Sequence, residues 1–339
     1  MNGRGNGKLN FAWCLALIAL PLVIALIALC IGRMSVSPHE VFAVLSGKLG
    51  IGAGADRLTE MTVWRLRLPR ILLALIVGAG LSVAGCAFQS LFANPLATPD
   101  TLGAASGSAF GAALGILFGF GLIGIQLCSF IMGITAVALT WLTGSGKGRG
   151  LGSVVLAGIM IGSLFSALIS LVKFTADTES QLPAISYWLM GGLDNASFDT
   201  LAIGAVPIIL GIAVLYLLRW RLNLLPLGED EARASGVNIR ALRAVTVICA
   251  TMMTASCVSM CGQVGWIGLL VPHICRMKFG SNHMALIPAS ISIGAAFTVI
   301  VDTVARSVSA AEIPISILTA IIGAPFFIVL MRKSGGWSF

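Results

Sequence analysis

Charge is what this sequence has least of. Of 339 residues only 10% are Asp, Glu, Lys or Arg, while 58% are hydrophobic, and the mean hydropathy of +1.00 excludes an ordinary soluble domain. A carrier driven by a proton or ion gradient keeps Asp, Glu or His inside the membrane to hold the coupling ion. Here the apolar runs contain almost none: Asp302 ends one run, Glu312 starts the next and His273 follows Pro272, and each reads more simply as an interface-level residue. The phosphate-binding loop GxxxxGK[ST] is also missing. The run GSGKGRG at 144–150 lacks both its spacing and the hydroxyl after Lys147, so direct use of ATP on this chain is excluded. None of the 8 cysteines forms a CxxC pair; all lie within or at the ends of apolar runs, where Cys packs as a small hydrophobe and no metal site is expected.

What is present is length of apolar sequence. A helix needs about 20 apolar residues to cross the hydrocarbon core, and ten candidate spans occupy 11–32, 71–92, 101–121, 123–143, 152–172, 198–218, 241–261, 265–279, 284–303 and 313–332. The pattern predicts an all-α polytopic membrane protein of about ten transmembrane helices, with 1–339 a single domain. The eighth span is short and holds Pro272 and His273, so a re-entrant segment is its alternative. The first run, behind Arg4 and Lys8, is too long for a signal-peptide core and has no small-x-small site before Arg33, which predicts an uncleaved span.

Lys and Arg set the orientation. With the N-terminus inside, Arg4, Lys8, Lys147, Arg149, Arg219, Arg221, Arg233, Arg240, Arg243, Arg276, Lys278, Arg332 and Lys333 are cytoplasmic, thirteen against the eight outside, Arg33, Lys48, Arg57, Arg65, Arg67, Arg70, Lys173 and Arg306. The excess places both termini in the cytoplasm. Arg65, Arg67 and Arg70 run against it. The net charge of +8 is then topological and makes no case for nucleic acid.

Gly103, Gly107, Gly111, Gly115 and Gly119 recur every fourth residue, a stripe along which a neighbouring helix can approach at backbone distance. A faint internal repeat pairs Gly85 with Gly262, Pro95 with Pro272 and Gly103 with Gly280 at an offset of 177 residues; it would be inverted. In LLPLGEDEARASGVNIRAL, 224–242, Glu229, Asp230, Glu231, Arg233 and Arg240 crowd between two apolar runs on the cytoplasmic side, bracketed by Gly228 and Gly236. The acids fall where a short helix would start. A rigid docking helix and a solvated loop fit this stretch equally.

Resemblance separates the two. The segment LPLGEDEARASGV is similar to the coupling region of FecCD/BtuC-type permeases, the membrane subunits of ATP-binding-cassette (ABC) importers for iron chelates, haem and cobalamin. RLRLPR at 65–70, QSLFANPLATPDTLG at 89–103, YWLMGGL at 187–193, GQVGWIGLLVPHICR at 262–276 and the stretch from Asp302 to Lys333 agree in order and spacing. Gln263 and Val264 depart from the family's usual Pro and aliphatic residue.

The resemblance implies a BtuC-like (type II ABC importer) bundle. It implies that Leu227, Gly228, Glu229, Asp230, Glu231, Ala232, Arg233, Gly236 and Val237, within a cytoplasmic coupling segment 224–240, dock an ATPase. Arg67, Arg70 and Arg306 are expected to face the periplasm and meet acids on a substrate-binding protein, so that reversing the charge of Arg67 and Arg70 would weaken docking and spare the fold. Leu151, Gly152, Ser163 and Ser166 are expected along the translocation path. The implied assembly has two ABC ATPases, a second identical or related permease, and a periplasmic or lipid-anchored binding protein in the cytoplasmic membrane. ATP and Mg would reside on the ATPase, with no cofactor on this chain. Ferric siderophore is the expected cargo, with haem, cobalamin or molybdate as alternatives; an ion-coupled secondary carrier is the reading from another class.

A cysteine reporter placed at Ser334 or Gly148 is expected to label only from the cytoplasm. Labelling of either from outside overturns the ten-span topology.

Overall fold

The structure is a computed structural model describing residues 9–52, 54–146, 150–227, 231, 234–309 and 312–333. Among them the regular structure is helical throughout. We number the principal helices α1 Phe11–Cys30, α2 Pro38–Lys48, α3 Leu68–Leu91, α4 Ala104–Leu117, α5 Leu122–Gly144, α6 Leu151–Thr175, α7 Gln181–Met190, α8 Phe198–Leu217, α9 Ile239–Cys261, α10 Ile267–Phe279, α11 His283–Val308 and α12 Ile315–Lys333. Seven stretches, α1, Arg57–Leu91 (α3 with its lead-in), α5, α6, α8, α9 and α11, are long and apolar enough to span a membrane. The shorter α4, α10 and α12 fill the places of the third, eighth and tenth expected spans.

Two helices fall outside that expectation because neither is long enough to register as a span. For α2 the start is a capping box, in which the Ser37 hydroxyl accepts from Glu40 N and the Glu40 carboxylate accepts from Ser37 N. Those bonds hold the exposed Glu40 carboxyl below its ordinary pKa. The other is α7, which leads to Gly191.

Burial sorts the long helices into a centre and a periphery. Of the most apolar stretch in each, 83% is buried for Arg57–Leu91, 78% for α9 and 67% for α11, against 17% for α1 and 28% for both α5 and α6. The central helices meet at glycines. A Cβ added to Gly78 would lie 2.2 Å from the Gly294 carbonyl oxygen, joining α3 to α11, and one on Gly85 would lie 1.8 Å from the Gly268 oxygen, joining α3 to α10. No side chain fits either place.

The glycine stripe is divided between two neighbours and open space. Added Cβ atoms on Gly107 and Gly111 would meet the Met132 oxygen at 2.6 Å and the Cys128 oxygen at 2.3 Å, and one on Gly115 the Ile125 Cα at 3.0 Å, so the middle of α4 lies flat on α5. Gly103 instead precedes α4 and approaches Gly158 and Gly162 of α6, while Gly119 ends the helix in open space. Of the residues matched at the 177-residue offset, Gly85 lies inside α3 whereas Gly262 and Gly280 end α9 and α10.

Gly111→Leu is expected to cost about 3 kcal/mol or more, the upper range for overpacking, because rigid backbone rather than a movable side chain occupies the space. Thermal unfolding in detergent measures it; a normal melting temperature would show that α4 and α5 can part at no cost.

Candidate functional site

At one end of the bundle three arginines from two helices converge on the end of a third. The lead-in to α3 is a wide, π-type turn over Met61–Arg67, in which Leu68 N donates to Val63 O, five residues back, just ahead of Pro69 with no N–H to give. This turn sends Arg67 inward and leaves Arg65 exposed. Arg67 Nη1 donates to the carbonyls of Leu29 (2.6 Å) and Cys30 (3.2 Å), and Nη2 to that of Met34. From α11, Arg306 Nη2 donates to the Ala28 carbonyl. The two guanidiniums thus serve carbonyls in the last turn of α1, which have no partner within their own helix, and place positive charge at the negative end of its dipole.

Arg70 is held by acids instead. Its Nε donates to Asp302 Oδ1 at 2.8 Å and its Nη1 to Glu312 Oε2 at 2.7 Å. Asp302 also faces Arg306 Nε at 3.8 Å, an ion-pair distance. Asp302, 1% exposed, is therefore shared by two guanidiniums and is internal counter-charge rather than an interface residue. Arg67 and Arg306 are 5% and 7% exposed and all three arginines have partners within the chain, which corrects the expectation that reversing the charge of Arg67 and Arg70 would spare the fold. Charge reversal there would disrupt the fold itself. A cavity of about 510 Å³, lined in part by Arg33, Arg67, Arg70, Arg306, Asp194 and Glu312, leaves a wall of this network open to a visitor.

A second cavity, of about 620 Å³, lies between the 92–103 connection and α6, and Asn94, Asp100, Thr101, Ser106, Ser163 and Ser166 supply its polar lining. Ser163 and Ser166 donate back to the carbonyls of Ile159 and Gly162, both at 2.9 Å, so their lone pairs face the space. Leu151 and Gly152 lie at the start of α6, outside the cavity lining, and Gly152 adjoins open space. A third cavity of about 450 Å³ holds Gln263 and Val264 beside Asp100 and Trp266, so the departures from the family pattern line a hollow rather than a helix seam.

The expected docking segment is anchored at both ends. Leu222 and Leu225 are buried before it and Ile239 and Leu242 after it. Asn238 caps α9, its side chain accepting from Ala241 N at 3.1 Å. Between the anchors Glu231 and Gly236 are exposed, Leu227 is 38% exposed, Val237 is half-buried, and Gly236 takes φ +72°. Gly228, Glu229, Asp230, Ala232 and Arg233 lie outside the described residues. Three residues that sequence reasoning did not connect also come together at this end of the bundle. His283 Nδ1 lies 2.8 Å from Asn223 Oδ1, and its Nε2 hydrogen-bonds Ser90 Oγ.

Apolar helices with an ion-pair network at one end, an anchored polar segment at the other and hollows between define a multi-pass membrane transport subunit. The chain belongs to the FecCD transport family, whose sequence profile matches residues 19–333, and is an ABC importer permease. It is 43% identical to the molybdate import system permease protein MolB of Haemophilus influenzae, over 94% of each chain. It is 35% identical to a protein of Helicobacter pylori named as an iron chelatin transport system permease, over 94% of this chain and 98% of that one. A solved structure described as an inward-facing conformation of a metal-chelate type ABC transporter aligns with a TM-score of 0.86 at 41% identity, covering 95% of this chain and 99% of the other.

Asp302→Ala removes the counter-charge that Arg70 and Arg306 share, leaving Arg70 only Glu312 and Arg306 only a backbone carbonyl, and is expected to cost about 3 kcal/mol, the lower end of the range for removing one partner of a buried pair. Glu312→Gln, whose side chain is 32% exposed, is expected to cost less than about 1 kcal/mol. Equal shifts in thermal unfolding for the two variants would show that Asp302 is not the keystone of the network.

Proposed function

We propose that this chain is one of two membrane subunits of an importer in the cytoplasmic membrane, paired with a second copy or a related permease, with both termini in the cytoplasm. Residues 1–339 form one permease domain. The assembly has two cytoplasmic ABC ATPases, one docking on the segment 224–240 of this chain, and they hold ATP and Mg; this chain performs no bond chemistry. A periplasmic or lipid-anchored binding protein presents a carboxylate to the cavity walled by Arg33, Arg67, Arg70 and Arg306. Opposite charge on a rigid rim steers such docking and fixes its register. The hydroxyl-lined hollow beside α6 carries the cargo, Ser163 and Ser166 lining its path and Leu151 and Gly152 standing at its cytoplasmic end.

The proposed cargo is an oxyanion of the molybdate kind. The 43% identity with MolB over 94% of each chain carries this reading and sets it ahead of the ferric siderophore favoured by sequence motifs. A metal chelate is the second reading, favoured by the 41% identity with the metal-chelate type transporter. Reconstituted with its ATPase and binding protein, the permease is expected to take up radiolabelled molybdate in an ATP-dependent way. Uptake of a ferric siderophore alone would replace the first reading by the second, and uptake of neither would sink both.

The docking segment has its own test. Gly236 has open space around it but a left-handed φ that a β-branched residue resists. Gly236→Val is therefore expected to leave the bundle folded while reducing co-purification of the ATPase. Full retention of the ATPase, with the normal number of ATP hydrolysed per cargo, would make the segment a solvated loop.

A further inference from the structure

The central pair α3 and α11 is pinned by side chains at both ends. The helices run antiparallel, with backbones touching at Gly78 and Gly294. At one end Arg70 of α3 holds Asp302 of α11; at the other, Ser90 of α3 holds His283 of α11. At 1.5 Å per residue, the twenty residues from Arg70 to Ser90 put these fastenings about 30 Å apart. The second one extends beyond the pair. Asn223 closes the short turn Arg219–Leu222, directly ahead of the segment 224–240, and its Oδ1 accepts from His283 N at 2.9 Å and lies 2.8 Å from His283 Nδ1.

The partners fix the chemistry of this chain of bonds. A backbone N–H can only donate, so the Asn223 atom facing it is the oxygen. Nδ1 of His283 must then carry the proton, and Nε2 faces the Ser90 hydroxyl, whose one hydrogen is shared between that nitrogen and the Cys86 carbonyl 3.1 Å away. Asn223 Nδ2 is turned to the Asn282 side chain at 3.2 Å, consistent with this assignment. Ser90 and His283 are each 4% exposed, so water does not compete. Leu222 and Leu225 also anchor this stretch, but apolar contact is non-directional and permits sliding, whereas these hydrogen bonds are directional.

We infer that His283 is a positioning residue for transport: through Asn223 on one side and Ser90 on the other it ties the ATPase-docking segment to the α3–α11 pair, so that docking at the Arg70–Asp302 end and ATP hydrolysis at the other end are felt by one rigid body. This rests on the reading of segment 224–240 as the ATPase dock. The link requires an acceptor at position 223 and a ring at position 283, and does not require either residue to touch ATPase, binding protein or cargo.

The test uses the assembled importer in lipid nanodiscs, measuring ATPase co-purification, basal ATP hydrolysis and its stimulation by the binding protein. Asn223→Leu and His283→Ala are expected to retain the ATPase and basal hydrolysis but to lose at least fivefold of the stimulation, the lower bound for a coupling of the usual size. Asn223→Asp, which keeps the acceptor oxygen, is expected to restore it. Undiminished stimulation in the assembled Asn223→Leu and His283→Ala complexes overturns the inference, as does a loss confined to protein yield, which would make the cluster a structural staple. If the unaltered chain retains no ATPase, the docking reading fails and takes this one with it; if it does and only the variants behave normally, this inference fails alone.

Discussion

Backbone-to-backbone contact at the centre of the bundle governs the rest of this structure. In lipid there is no apolar driving force between helices, so van der Waals fit must hold them, and that fit is best where side chains are absent. The contact between Gly78 and Gly294 sets the spacing of α3 and α11, and Gly85 sets α10 against the same helix. With three helices drawn that close, the remaining ones arrange themselves around a core of fixed width. The outermost, α1, joins through polar bonds: Ser292 Oγ donates to the Leu17 carbonyl, and the two guanidiniums close its last turn.

Polar side chains inside the bundle find partners in two main ways. Some short ones return their hydrogen to their own helix, as Thr246, Thr254 and Thr298 do to the carbonyls four residues back at 2.8, 2.8 and 2.9 Å. Others reach across to a carbonyl of another helix or to a counter-charge, as Ser256 does to Gly204 and as the arginines do. A hydrocarbon surrounding favours both, because an unpaired backbone or charged group there has no water to fall back on. Polar groups on the walls of hollows are those with lone pairs still to offer, and the hollow between the 92–103 connection and α6 collects several of them.

Sequence and structure part company according to range. Span positions were legible to within a few residues because length and apolarity are local properties: the fifth span, expected at 152–172, is the helix Leu151–Thr175. The glycine stripe was legible as a contact surface but not as one shared among α5, α6 and open space, since periodicity names a face and never its neighbour. Arg67, Arg70 and Arg306 stood out by breaking the charge rule, yet most of their intramolecular partners did not, because Asp302 lies 232 residues from Arg70 and the α1 carbonyls more than 30 residues from Arg67 and Arg306 along the chain. His283 and Asn223 gave no sequence signal, and Ser90 stood out only as part of the stretch 89–103, not as a partner of either: each is an ordinary turn or helix-end residue, and only the fold makes them adjacent.

The wide turn at Met61–Arg67 sets rotational phase. One residue more than an α-helical repeat turns everything on its N-terminal side by about 100° relative to α3, which puts Val63 and Arg67 on the buried face and Arg65 on the open one. Chemistry at these positions can vary while the turn survives; length cannot. A single deletion between 61 and 67 would leave every residue type in place and still aim the wrong side chains at α1, so this stretch behaves as a keyway, fixed in its number of residues more strictly than in their identity.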